Sequence, residues 1–238
     1  MRSTRLLSGL ALVLAPAILA RPCRAQEKNP FVDSWFWGAK GGVAVLHTSV
    51  ARTTAPVVGA EWLVTRSKFG LYVSVDQAYF GCLESQDKDC GADSKVLSTV
   101  DNAPTNGVQR QVQLRDMRRF TTAMYLFPRV WADAFRPYFG LGYAFNFVVG
   151  AEPGQGDAFA NSLARDTVLA RIQSGKTRSS WVGTLGLQLD IKRFAPFVQA
   201  TTMPTQGNGK FLINGKGFSY YVEAGLRYNF GSAIEHLK

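Results

Sequence analysis

The 238-residue chain carries only two histidines and three cysteines, and just 18% of its residues are charged. His47 and His236 have no ligand-like spacing to any cysteine pair, so a zinc centre is not expected. Low charge beside 46% hydrophobic residues excludes disorder, which needs the reverse balance. Long apolar runs are missing beyond the N terminus. A spanning helix needs about 18 consecutive apolar residues, whereas the charge-free stretch Pro137–Ala151 is interrupted by Asn146. A helical membrane protein is therefore excluded. There is no basic run either, since the excess of Lys and Arg is scattered, and no nucleic-acid partner is expected. What the chain does have is 23 Gly together with 16 Phe, 8 Tyr and 5 Trp, a combination that suits strands and turns.

The N terminus reads as an export address. Arg2 and Arg5 precede the apolar stretch Leu6–Ala20, and Cys23-Arg24-Ala25 places small residues where a signal peptidase cuts. A signal peptide over 1–25 is expected, followed by a barrel domain over 26–230 and a short periplasmic tail over 231–238. Removing four arginines lowers the net charge from +10 to +6. The remainder still favours contact with anionic lipid headgroups. Cys82 and Cys90 stay behind and flank the polar stretch LESQDKD. In an exported protein a disulfide stapling that loop is the expectation.

The dominant pattern along the chain has period two, which puts alternate residues on one face of a strand. Trp35, Trp37, Ala39, Gly41 and Val43 alternate with Phe36, Gly38, Lys40, Gly42 and Ala44. Val58, Ala60, Trp62 and Val64 oppose Gly59, Glu61, Leu63 and Thr65, and Phe69, Leu71, Val73 and Val75 oppose Gly70, Tyr72, Ser74 and Asp76. The clearest segment sets Phe139, Leu141, Tyr143, Phe145 and Phe147 against Tyr138, Gly140, Gly142, Ala144 and Asn146. Four more segments, around residues 119–126, 181–191, 197–202 and 220–230, bring the expected number of strands to eight. Their connections alternate in length. The joins near 65–68, 129–135 and 192–195 are short, and those over 47–56, 81–115, 150–176 and 203–217 are long. Sorting loop length by parity is the pattern of an outer-membrane barrel.

Face composition decides which side looks outward. One face is apolar and aromatic. The other carries Lys40, Glu61, Asp76, Arg119, Asp190, Glu223 and Arg227 among small residues. Eight strands enclose only enough room for side chains, so small residues and paired charges suit the lumen and the bulky face suits lipid. A Lys or Arg on the lipid face at mid-bilayer would cost about 2–4 kcal/mol, and the centres of the apolar sets have none. Trp35, Trp37, Trp62, Tyr79, Trp181, Tyr220, Tyr228 and Phe230 fall towards strand ends, where aromatic rings meet the headgroup boundary. Arg119 and Arg227 are candidate partners for Glu61, Asp76 and Glu223 across the lumen, where pairing would plug it and hold the register.

The segment Glu223-Ala224-Gly225-Leu226-Arg227-Tyr228-Asn229-Phe230 resembles the last-strand signal of bacterial outer-membrane barrels: a polar residue, then Gly, then two alternating aromatics. With Arg136-Pro137-Tyr138-Phe139-Gly140-Leu141-Gly142 and the fainter Phe194-Ala195-Pro196-Phe197-Val198, the chain resembles the small OmpA/OmpX-type eight-stranded barrels. The resemblance implies an all-β, antiparallel, up-and-down transmembrane barrel in the bacterial outer membrane, in contact with its lipids and lipopolysaccharide. It also implies insertion by the outer-membrane assembly machinery through Glu223, Gly225, Tyr228 and Phe230. The chain departs from the pattern in that Gly231–Lys238 follows the signal.

Function on such a scaffold lives in its loops. The long loops would carry a structural or surface-interaction role, with an extracellular ligand as partner. No cofactor, metal or catalytic residue is expected. Asn161–Ile172 reads as a short helix after a Ser162 cap. His47-Thr48-Ser49 is similar to the His-x-Ser pairing of outer-membrane lipid A deacylases, which makes a lipid-modifying enzyme one alternative; a narrow channel for small hydrophobic solutes is the other. Gly38, Gly41 and Gly42 match no phosphate-binding loop.

Overall fold

The computed structural model describes residues 31–50, 52–80, 92–98, 108–128, 134–153, 159, 161–205, 211–213, 215 and 217–232. The expected leader over 1–25, the Cys82–Cys90 staple and the tail beyond Ser232 lie outside the described residues.

Nine strands and one helix follow one another as β1 (Ser34–His47), β2 (Arg52–Arg66), β3 (Phe69–Tyr79), β4 (Ala92–Ser98), β5 (Val108–Leu126), β6 (Phe135–Pro153), α1 (Ser162–Gly175), β7 (Thr177–Leu189), β8 (Phe194–Thr205) and β9 (Gly217–Ser232). Eight of the strands close a ring. Each pairs antiparallel with its chain neighbour, β3 pairs with β5, and β9 returns to β1 from Ser34↔Ser232 to Val45↔Tyr220. Closure gives every ring strand two partners and leaves no open edge around the ring. The architecture is an eight-stranded antiparallel up-and-down barrel.

The ninth strand is a correction to the long loop expected over 81–115. β3 occupies one edge of β5 from Leu126 to Asp116, and β4 continues along the same edge from Leu114 to Val108. β5 and β6 are 19 residues each, about twice the 9–11 residues that a tilted strand needs to cross a bilayer. With β4 they rise beyond the ring as a three-stranded extension at the loop end. Its inner face changes phase on the way: Val112 and Leu114 are buried, and then Met117 and Arg119. β6 shifts in step, from Asn146 and Val148 to Ala151, around Gly150 at φ +68°. That backbone region favours glycine.

Exposure runs opposite to that of a water-soluble domain. Leu141 and Leu185 are each 68% exposed and Trp181 62%, while Arg227 and Tyr125 are 0%. The large apolar residues therefore coat the outside. Aromatic rings gather in two bands on that outer wall. At the turn end Trp62 lies against Trp35 (5.5 Å) and Trp37 (6.1 Å), and Tyr228 against Phe194 (5.3 Å) and Phe230 (5.0 Å). Nearer the loop end Tyr143 meets Trp181 at 4.2 Å, and Phe218 meets Tyr220 at 6.4 Å. Tyr220 and Phe230 share the outer face of β9. At about 3.4 Å per residue and a tilt of ~40° they stand ~26 Å apart along the axis, close to the ~25 Å apolar height of such barrels.

Two tight connections, at 67–68 and 190–193, together with the join of β5 to β6, mark the turn end. Ser67 and Lys192 take left-handed φ values of 54° and 53° there, which close the hairpins in few residues. Helix α1 starts one residue earlier than expected. Asn161, not Ser162, is its cap, because the extended Asn161 backbone lets its side-chain oxygen accept the Ala164 N–H at 2.8 Å.

Candidate functional site

The barrel lumen is filled in two layers of opposite chemistry. The layer nearer the turn end is built by the inward positions of the strands themselves. Lys40 on β1 reaches Asp76 on β3 at 2.8 Å and Glu223 on β9 at 3.0 Å. Arg119 on β5 binds the same two carboxylates, at 2.8 Å and 3.2 Å. Arg227 on β9 pairs with Glu61 on β2. All six side chains are at most 2% exposed. Three cations thus meet three carboxylates in a space without bulk water. Buried ions are tolerated only when paired and hydrogen-bonded, since each unpaired charge costs several kcal/mol.

Neutral side chains satisfy some of the remaining valences, while Arg119 Nη1 and Arg227 Nη2 are buried without a hydrogen-bond partner among the described residues. The Tyr72 hydroxyl donates to Glu61 at 3.0 Å and accepts from Lys40 at 3.0 Å. Gln199 donates to Glu223 at 3.0 Å, and Arg227 donates to the side-chain oxygen of Gln188 at 2.6 Å. Gln188 in turn donates to Asp190 at 2.7 Å. Asp190 stands apart from the six-membered cluster. It lies near the turn end, is half-buried, and pairs with Arg136 at 2.9 Å. The polar chain therefore runs from Asp76 to Arg136, and Tyr72, Gln188, Gln199 and Arg136 are members that the charge pattern alone misses. Three of these four, Tyr72, Gln188 and Gln199, sit buried on the inner faces of their strands. An inner-face polar residue opposite a charge is the signal that would have found them.

The lower lumen is also more aromatic than the expectation of small residues and charges. Tyr72, Tyr125 and Tyr138 stack in series, with centroids 4.4 Å and 5.1 Å apart. Glycine makes the room. Tyr125 faces Gly140 and Tyr138 faces Gly186 across the ladder, and a Cβ at either glycine would collide with the ring. Below them Phe31 is 1% exposed, packs on Phe127 at 4.6 Å and lies under the Arg136 guanidinium at 3.8 Å. Its carbonyl accepts from Thr65. The segment before β1 thereby caps the turn-end mouth.

The layer nearer the loop end contains no ion pair among the described residues. Leu46, Val57, Phe80, Leu114, Met117 and Val148 line the wall, and side chains from the connections fill the space between them. Helix α1 buries Ala164, Val168, Ile172 and Gly175 along one stripe, a spacing that keeps them on one side of the helix. Phe211, Leu212 and Ile213 enter from the connection after β8. Backbone bonds hold these inserts down. Leu212 N–H donates to the Gly175 carbonyl at 3.1 Å, and Gly215 N–H donates to His47 O at 2.8 Å.

The other expected positions are distributed as follows. Glu223 and Gly225 face the lumen, while Tyr228 and Phe230 face outward, with Phe230 64% exposed. His47 ends β1, Thr48 is buried and Ser49 lies in an exposed bend, so the His-x-Ser residues do not share one continuing strand face. The Nδ1 of His47 is buried with no hydrogen-bond partner among the described residues.

No protein-family model matches the chain, and no curated protein matches it in sequence. Solved structures do match in shape. Neisserial surface protein A is 11% identical over 82% of this chain and 97% of its own, with a TM-score of 0.52. The N-terminal barrel domain of Pseudomonas aeruginosa OprF is 10% identical over 84% and 98%, with a TM-score of 0.43. Ail of Yersinia pestis, solved with the heparin analogue sucrose octasulfate, is 9% identical over 83% and 100%, with a TM-score of 0.42. The likeness to Neisserial surface protein A supports the fold alone, a small eight-stranded antiparallel up-and-down barrel.

Proposed function

We propose that the protein is a non-enzymatic component of a bacterial outer membrane, exported by a leader over 1–25, with its turn end in the periplasm and its loop end outside. The wall would meet membrane lipid and lipopolysaccharide. The extension β4–β5–β6, helix α1 and the long connections would present a surface to an external ligand, stapled by Cys82–Cys90. The assembly machinery would read Glu223, Gly225, Tyr228 and Phe230 on β9. One observation carries this reading: apolar bulk lies on the outside while the inside is filled at two levels. The filling of the lumen at both levels by the described residues weighs against the narrow-channel alternative. The unpartnered Nδ1 of His47 is the atom that an orienting carboxylate would hold, so the enzyme alternative gains no support from it.

The test is direct. The protein should leave cells with the outer-membrane fraction and migrate faster unboiled than boiled on SDS gels. It should also be silent in planar bilayers. Identical mobility in both lanes together with recovery in the soluble fraction would overturn the proposal, and steady single-channel currents would restore the channel alternative.

A further inference from the structure

The turn end carries a feature that the barrel fold itself does not require. Two of its hairpins are basic and exposed: Arg66 and Lys68 at the turn joining β2 to β3, and Lys192 and Arg193 at the turn joining β7 to β8. The order of strands in the ring puts these hairpins on opposite sides of the barrel. Each hangs beneath an aromatic cluster of the outer wall. Arg66 continues the outward line of Trp62 and Val64 and pairs in register with Phe69, which is 53% exposed, beside the Trp35–Trp62–Trp37 group. Arg193 donates to the Tyr228 hydroxyl at 3.4 Å, and Tyr228 packs against Phe194 and Phe230. Among the described residues of this rim the acids are Asp33 and Asp190, and Asp190 is held by Arg136.

We propose that this rim is a headgroup clamp for anionic phospholipid, in which the two basic hairpins bind lipid phosphates while the rings above them seat the acyl–headgroup boundary. The reading rests on the proposed membrane placement. Charge complementarity selects the partner. Cations placed just outside an aromatic band stand at the depth of lipid phosphates, and each Lys or Arg near an anionic surface adds to affinity. Outward-pointing Arg66 and its neighbouring rings favour a lipid over a wall polymer, which would meet the tips of the turns alone.

The experiment uses the purified barrel in detergent, with added phosphatidylglycerol or phosphatidylcholine, and native mass spectrometry to count bound lipid. Phosphatidylglycerol should be preferred by on the order of tenfold, and the preference should shrink as salt is raised. The variant Arg66→Gln/Lys68→Gln/Lys192→Gln/Arg193→Gln should lose it. The loop-end variant Arg115→Gln/Arg118→Gln should keep it, as should exchange of each rim Arg for Lys and each Lys for Arg. Equal binding by the fourfold variant and the native protein would overturn the clamp, and so would equal loss in the loop-end variant. Binding to peptidoglycan sacculi that falls in the fourfold variant while lipid binding does not would overturn it in favour of the cell wall. The same samples run unboiled and boiled separate the two proposals. A compact unboiled band without lipid preference sinks the clamp alone, whereas no compact band sinks the membrane placement beneath it.

Discussion

The two halves of the lumen are closed by different means. Towards the turn end the strands close it themselves, with six paired charges and three stacked tyrosines that all project from the wall. Towards the loop end the wall supplies a mainly apolar lining, and α1 with Phe211–Ile213 fills the centre from the connections. The first closure is inseparable from the barrel, because each participant also pairs in the ladder. The second is modular, because its filling can change while the eight strands stay as they are.

Breaking the polar half should hurt most. Arg227→Met leaves Glu61 buried without its partner and should cost about 3–5 kcal/mol, read from urea unfolding of the barrel in lipid vesicles. Adding Glu61→Gln should recover part of that loss. Equal stability of the single variant and the native protein would mean that water reaches the pair. In the apolar half, Leu114→Ala removes a fully buried wall side chain and should cost about 2–4 kcal/mol in the same assay. A far smaller loss would show that the inserts settle into the space.

The connections should respond locally. Asn161→Ala deletes the cap of α1 and should weaken the helix by about 1 kcal/mol, seen as faster amide exchange over 162–175 with the barrel's urea midpoint unchanged. A shifted midpoint would tie the two halves together after all. At the exposed extreme, Arg115 and Glu152 meet at 3.5 Å with side chains 65% and 62% exposed. Arg115→Ala should therefore change stability by less than about 0.5 kcal/mol. A larger effect would give the extension a role in holding the barrel.

The same division explains what could be read from the sequence. The ring strands were legible because each has an apolar outer face on one side and a narrow lumen on the other, so alternation is enforced at every position. The charges that meet in the lumen were legible for the same reason, down to Lys40, Asp76 and Glu223 on inner faces. The extension was not. β4 reads Ala-Asp-Ser-Lys-Val-Leu-Ser, and the upper part of β5, Val-Gln-Arg-Gln-Val-Gln-Leu-Arg-Asp, is two-thirds polar. The inner face of the extension is covered by inserts from the connections and not by a narrow lumen, and the phase change near Leu114 and Gly150 interrupts what alternation remains. The loop-end filling escaped because Phe-Leu-Ile at 211–213 is too short to announce where it goes. Its burial depends on α1, which comes from a different connection.

A consequence follows from where the six lumen charges come from. Sliding one strand by two residues along its neighbour keeps every outward apolar side chain facing outward, so the apolar pattern is blind to that error. The ions are not blind to it. β9 brings Glu223 to Lys40 of β1 and Arg227 to Glu61 of β2, and a two-residue slip of β9 would part both couples at once. Closure of the cylinder is thus proofread electrostatically by its final strand, and a misaligned seam would betray itself by leaving charge unpaired in the lumen.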